Sequence, residues 1–156
     1  RIEVLNQQLN RTYIPIGAQG SRLKSNQLAQ DSNAGTYGKA NVSSRAKFKA
    51  SKKYKNESWD LVDAAEADAS RIVKEKATLP DSLRTLDDVA LTAKIKAISK
   101  ERAALQDEIR ALTAKRDAFV AEARKKDAAD NATTFSGQIN ASVKKRLVAK
   151  KYVVKE

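Results

Sequence analysis

Apolar residues recur at helical spacing along most of the chain. Ile2, Leu5 and Leu9 share one face of a helix over residues 1–9. Arg11-Thr12-Tyr13-Ile14-Pro15-Ile16-Gly17 breaks that period. It is β-branched, interrupted by Pro15, and runs into Gly17-Ala18-Gln19-Gly20, a pattern that predicts an extended linker. Ser21 caps a short helix over 22–33 with a weak stripe of Leu23, Gln27 and Gln30, closed by Asn33, Gly35 and Gly38. From a cap at Ser43 or Ser44 to about Lys76, residues Phe48, Ala50, Tyr54, Trp59, Val62, Ala65, Ala69, Ile72 and Val73 follow steps of three and four through most of the length. That spacing predicts one long helix burying one stripe. A turn follows at Thr78-Leu79-Pro80-Asp81-Ser82, because Pro80 lacks an amide hydrogen and disfavours helix before it.

The strongest periodicity lies between Leu86 and Asp127, where no Pro or Gly occurs. Leu91, Ile98, Leu105, Leu112 and Phe119 repeat every seven residues. The positions four further on are Ile95, Arg102, Ile109, Arg116 and Ala123, so the seam alternates apolar residues and arginines. Capped by Thr85 or Asp87, this helix is on the order of 60 Å long and needs a partner to be stable. The preceding helix can fold back as that partner if facing residue numbers sum to roughly 162. Trp59 then meets Ala103 and Leu105, Val62 meets Ile98, Val73 meets Val89, Tyr54 meets Ile109, and Phe48 meets Leu112.

The expected fold is therefore all-α: a long antiparallel, coiled-coil-like helical hairpin over 43–127, with short flanking helices and an extended N-terminal linker over 10–42. Trp59, Val62, Ile98, Leu105, Ile109 and Leu112 are its structural anchors. A seam carrying Arg102 and Arg116 can also pair between chains, so a homo-oligomer is the alternative. Residues 128–136 are small and polar and predict a loop. Ile139, Val143 and Leu147 predict one more short amphipathic helix with a basic outer face, and Tyr152-Val153-Val154 is apolar.

Composition narrows the chemistry. The chain has 156 residues, enough for one ordinary domain, but only 5% are aromatic, and with 5 Gly and 2 Pro it lacks material for sandwiches, barrels or doubly wound sheets. It contains no Cys and no His, which removes disulfide frameworks, thiol nucleophiles, cysteine–histidine zinc sites and imidazole catalysis. The expectation is a protein that is not an enzyme and holds no cofactor or metal. Asp60, Asp63 and Asp68 face lysines and read as structural, and the glycine pairs lack phosphate-cradle spacing. With no Met, Arg1 reads as a cut end. No apolar run reaches the length of a membrane span.

The net charge of +12 is uneven. Residues 59–88 carry 4 basic and 8 acidic groups while 89–128 carry 10 and 6, so the acidic block has a basic neighbour to face. Asp60, Asp63, Glu66 and Asp68 are expected beside Lys94, Lys96, Lys100 and Arg102. Lys49, Lys52, Lys53 and Lys55 are expected beside Asp107 and Glu108. That leaves Lys144, Lys145, Arg146, Lys150 and Lys151 as candidate anion-binding residues for nucleic acid, anionic lipid or an anionic surface polymer. Nucleic acid is not the expected partner, because aromatics are too few for a stacking platform.

One stretch carries a family likeness. Leu9-Asn10-Arg11-Thr12-Tyr13-Ile14-Pro15-Ile16-Gly17-Ala18-Gln19-Gly20, then Asn26-Gln27-Leu28-Ala29-Gln30-Asp31-Ser32-Asn33-Ala34, resembles the region just after the von Willebrand factor type A domain in a family of exported bacterial proteins. Ala50 to Ala64 around Trp59, the Leu79-Pro80 turn and the heptad helix ending near Phe119-Val120-Ala121-Glu122 extend the likeness. The resemblance implies that residues 1–9 end the upstream domain's last helix and that the rest is its C-terminal helical extension. It implies a scaffold or protein–protein interaction module in the bacterial periplasm or at the cell surface, with a protein partner. The Asp-x-Ser-x-Ser metal loop of type A domains is missing from these residues, so no metal site carries over.

Overall fold

The computed structural model describes residues 1–127, 135–150 and 152. The fold is all-α. In chain order the helices are α1 (Ile2–Arg11), α2 (Gly20–Thr36), α3 (Lys39–Lys49), α4 (Leu61–Ala67), α5 (Arg71–Lys74), a 3-10 turn (Lys76–Thr78), α6 (Asp81–Arg84), α7 (Asp88–Asp127) and α8 (Phe135–Ala149). The chain divides into two compact units, Arg1–Thr113 and Ala114–Glu156. No helix among the described residues is long and apolar enough to cross a membrane.

The expected single helix over 43–76 does not form. α3 stops at Lys49, residues 50–60 are irregular, and α4, α5 and the 3-10 turn follow as separate short pieces. The break has a local cause. Asp60 is in extended conformation and caps α4, its side chain accepting the Asp63 N–H at 3.0 Å. A carboxylate able to end one element and begin the next divides the apolar stripe between them. Segment 49–66 still runs antiparallel beside α7: Arg110 donates to the Ala50 carbonyl at 2.6 Å, Arg102 to Asp60 at 2.6 Å, and Ser99 to Glu66 at 2.9 Å.

Nor is Thr12–Ile16 a linker. Thr12, Tyr13, Ile14 and Ile16 are all buried, and the segment passes antiparallel to 59–61 through one isolated bridge between Pro15 and Asp60. Ile16 N–H donates to the Trp59 carbonyl and Leu61 N–H to that of Ile14, each at 2.8 Å. The β-branched apolar residues that fit extended backbone also supply core surface here. Gly20 lets α2 start against this segment: a Cβ at that position would stand 3.1 Å from Pro15.

Two apolar clusters fill unit 1. One gathers Ile14, Ile16, Leu61, Val62, Ile72, Leu79, Leu91 and Ile95, with Ile98 half-buried at its edge. The other joins Leu5, Leu9, Tyr13, Ala46, Ala50, Trp59 and Ile109, with Tyr54, Leu105 and Leu112 packed on it. The stripe of α1 is thus covered within this chain. Val62 with Ile98, Trp59 with Leu105, and Tyr54 with Ile109 share clusters, as the register predicts. Val73, Val89 and Phe48 are instead 50%, 82% and 48% exposed and belong to neither cluster. Phe48 sits at the end of α3 and Val73 in the short α5, on either side of the break in the expected helix.

In unit 2, α8 begins at Phe135, inside the expected loop over 128–136; residues 128–134 lie outside the described ones. Every described side chain from Gln138 to Lys150 is exposed.

Candidate functional site

The chemistry concentrated in unit 1 is a pair of buried cations joined by one aromatic ring. Arg102, on α7, is 2% exposed. Its Nε donates to Thr12 Oγ1 at 3.0 Å, its Nη1 to Asp60 Oδ2 at 2.6 Å and Asp63 Oδ1 at 2.8 Å, and its Nη2 to the Thr12 carbonyl and to Asp60 Oδ1 at 3.2 Å. A guanidinium has five N–H donors, and all five are engaged. Asp60 is equally complete, since Oδ1 also accepts Ile14 N–H at 2.7 Å and Oδ2 accepts Asp63 N–H. Burial alone would lower the Arg102 pKa, but Asp60 and Asp63 reverse that and hold it raised.

Lys49 forms the second centre. Fully buried at the end of α3, its ammonium donates to Asn6 Oδ1 at 2.9 Å, to Asn10 Oδ1, and to Asp31 Oδ2 at 2.6 Å. Its three protons therefore tie α1, α2 and α3 together. Asp31 also accepts from Asn6 and Asn10 at 3.1 and 2.7 Å, and from Arg45 Nε at 3.0 Å. Gln27 donates to Asn10 and accepts from the Tyr54 hydroxyl. Burial pushes the Lys49 amine down to about 8 against the pull of Asp31. Burial would raise the Asp31 carboxyl, but Lys49, Asn10 and Arg45 outweigh it and hold the group below its ordinary value.

Tyr13 links the two centres. The Arg102 guanidinium lies 4.2 Å and the Lys49 ammonium 5.8 Å from its ring centroid, while Trp59 stacks on it at 5.8 Å and 29°. Two polar cavities flank the network. One, of about 270 Å³, lies against Arg102, Asp63, Gln106 and Arg110. The other, of about 300 Å³, lies against Asn6, Asn10 and Asp31. Among the described residues the buried side-chain donors without an acceptor are Arg45 Nη2 and Asn56 Nδ2, and no cluster of acidic residues has the arrangement of a metal site.

The expected anchors fall within this frame. Trp59, Val62 and Ile109 are buried; Ile98, Leu105 and Leu112 are half-buried at cluster edges. Of the expected charge pairs, Asp60 and Asp63 do meet Arg102. Lys49 does not meet Asp107 or Glu108: Arg110 pairs with the former and Arg1 with the latter. Glu66 lies 3.8 Å from Lys55, and Asp68 lies 3.5 Å from Lys74, within its own element's neighbourhood. Lys144, Lys145 and Arg146 are exposed on α8, Lys150 is exposed just past its end, and Lys151 lies outside the described residues. Unforeseen were Asn6, Asn10, Thr12, Tyr13, Gln27 and Asp31. The available signal was a pair of amides four apart on α1, beside apolar Leu5 and Leu9.

Comparison with protein families, with curated protein sequences and with solved structures returns no match.

Proposed function

We propose that the chain is a non-catalytic structural module: the C-terminal helical extension of an exported bacterial von Willebrand factor type A protein, acting as a scaffold for a protein partner in the periplasm or at the cell surface. The observation that supports this reading is the completeness of the Arg102–Asp60 pair. A general acid, base or nucleophile needs a proton or lone pair turned toward substrate. Arg102 has all five donors in internal bonds, and Asp60 accepts two bonds on each oxygen. Lys49 likewise gives all three protons to internal acceptors.

Such a network defines geometry: it holds the 12–16 segment, the start of α4 and the middle of α7 at fixed distances. The segments it joins are those on which the type A resemblance rests most firmly, namely Leu9 to Gly20, Asn26 to Ala34 and Ala50 to Ala64. Translation of the natural gene tests the reading. An upstream Asp-x-Ser-x-Ser loop preceded by an export signal is the expected result; a different upstream domain, or a cytoplasmic enzyme fused in frame, removes the family reading. Substrate turnover that is abolished by Lys49→Met while the fold persists removes the non-catalytic one.

A further inference from the structure

We propose that α2 is an internal occupant: its Asp31 fills a carboxylate site built on α1 and α3, and α2 swings out about Gly17 and Gly38 to yield that site to an acidic segment of the protein partner. Four side chains make the site. The Lys49 ammonium, Arg45 Nε and the amides of Asn6 and Asn10 all donate to Asp31, at 2.6, 3.0, 3.1 and 2.7 Å. Asp31 leaves the site incompletely filled. Its Oδ1 meets Arg45 at Nε alone, and Arg45 Nη2 is buried without an acceptor. A carboxylate free to orient would take Nε and Nη2 together as a bidentate pair. Only an anion replaces Asp31 here, because α3 carries Lys39, Arg45, Lys47 and Lys49 and no acid.

What holds α2 down is polar. Lys24, Gln27 and Asp31 lie on one face of the helix. Lys24 donates to the Tyr13 carbonyl at 2.7 Å, and Gln27 donates to Asn10 at 3.0 Å and accepts from the Tyr54 hydroxyl at 2.9 Å. No apolar side chain of α2 is buried, and Leu23 alone packs at a cluster edge. By contrast α1 places Leu5 and Leu9 in the core, and α7 places Leu91, Ile95 and Ile109 there. Water replaces hydrogen bonds at little net loss but offers no substitute for apolar burial, so α2 is the helix that leaves first. Rich in Ser, Asn and Gly and without a side-chain cap at its N-terminus, it is marginal as a helix once undocked. Gly17 and Gly38, with φ of 71° and 103°, bracket it and can pass between backbone regions closed to other residues. Lifting α2 lets water reach both Lys49 and Asp31, so neither charge is left buried without a partner. In the free chain the open form is the minor one. This role rests on the reading of a protein partner and not on the family; a scaffold with α2 permanently shut is still a scaffold, so the two fail separately.

Hydrogen exchange of the whole chain, read by mass spectrometry, is the test. The amides of α2 should exchange as one set, ahead of those of α1, α3 and α7, because they open without global unfolding. Asp31→Ala should speed α2 exchange by about tenfold or more, the equivalent of the charge-assisted hydrogen bonds lost, and leave α7 little changed. Acetylated hexaglutamate should speed α2 exchange in the native chain by taking the place of Asp31, while its glutamine counterpart should not. Lys49→Met should abolish the effect of the peptide. Protection of α2 equal to that of α7 overturns the proposal, as does opening of α2 and α3 together, which would carry Lys49 and Arg45 away with the strap. So does hexaglutamate that leaves α2 exchange in the native chain unchanged, whether or not it binds elsewhere on the chain.

Discussion

The guanidinium of Arg102 stands 4.2 Å from the ring centroid of Tyr13, while the main-chain carbonyl and hydroxyl of neighbouring Thr12 accept from its edge. The ring therefore faces a cation whose edge is fully hydrogen-bonded, an arrangement available to Arg and not to Lys. Residue 102 occupies a seam position of the heptad in α7, where an apolar residue would be expected. In that position it carries the join between α7, α4 and the 12–16 segment.

Replacing it should be costly. Arg102→Met leaves Asp60 and Asp63 buried and unpaired, for which ~3–5 kcal/mol is the usual loss. Arg102→Lys should recover only part, because an ammonium has three donors where five acceptor contacts exist. Urea unfolding of the two variants against the native chain checks both the size and the order.

Trp59→Ala should cost ~3–5 kcal/mol. The indole is 6% exposed, stacks on Tyr13 and belongs to the cluster with Leu5, Leu9 and Ile109. A loss below ~1 kcal/mol in urea unfolding would contradict this packing.

What the sequence made legible was the periodic part: the long α7, the short α1 and α2, the turn at Pro80, and Trp59 and Val62 facing Leu105 and Ile98. Asp60 and Asp63 facing Arg102 was legible from charge blocks. The break of helix 43–76 was not, because Ala50 and Tyr54, four apart, and Trp59, Val62 and Ala65, at steps of three, keep helical spacing into and out of the irregular residues 50–60. Tyr54 and Trp59 pack in the cluster that also holds Tyr13 and Ile109, so they are covered without a helix of their own. The Lys49 centre was hidden for a different reason. Its acceptors Asn6, Asn10 and Asp31 come from separate helices, and polar residues read one by one look solvated. Only the packing of α1, α2 and α3 converts them into a buried set.

Lys49 should give the stability curve a definite pH signature. Its folded value of about 8 lies below the ordinary 10.5. Above pH 8 the native chain sheds this proton while the unfolded chain keeps it, so the unfolded state binds more protons and stability from this group rises with pH. The gain accrues between the two values and reaches at most about 3 kcal/mol. Asp31 acts at the other end, because its lowered carboxyl contributes stability above its unfolded value that is lost as pH falls through the folded one. Unfolding free energies of the native chain and Lys49→Met, measured from pH 7 to 10, should diverge in slope, with the rise present only in the native chain.

Two glycines three residues apart should respond to alanine with opposite sign. Gly35 lies in the last turn of α2 with nothing within 4 Å of where a Cβ would stand. Gly35→Ala should therefore stabilise by ~0.5–1 kcal/mol, since alanine loses less backbone freedom on entering a helix. Gly38, between α2 and α3, has open space too, but its φ of 103° is closed to L side chains. There Gly38→Ala should destabilise by ~1–3 kcal/mol, the approximate cost of a backbone region open essentially to glycine alone. Since neither methyl group touches a neighbour, the difference isolates backbone conformation. Thermal unfolding midpoints that move the same way in both variants would mean that α2 and α3 do not turn at Gly38 as described.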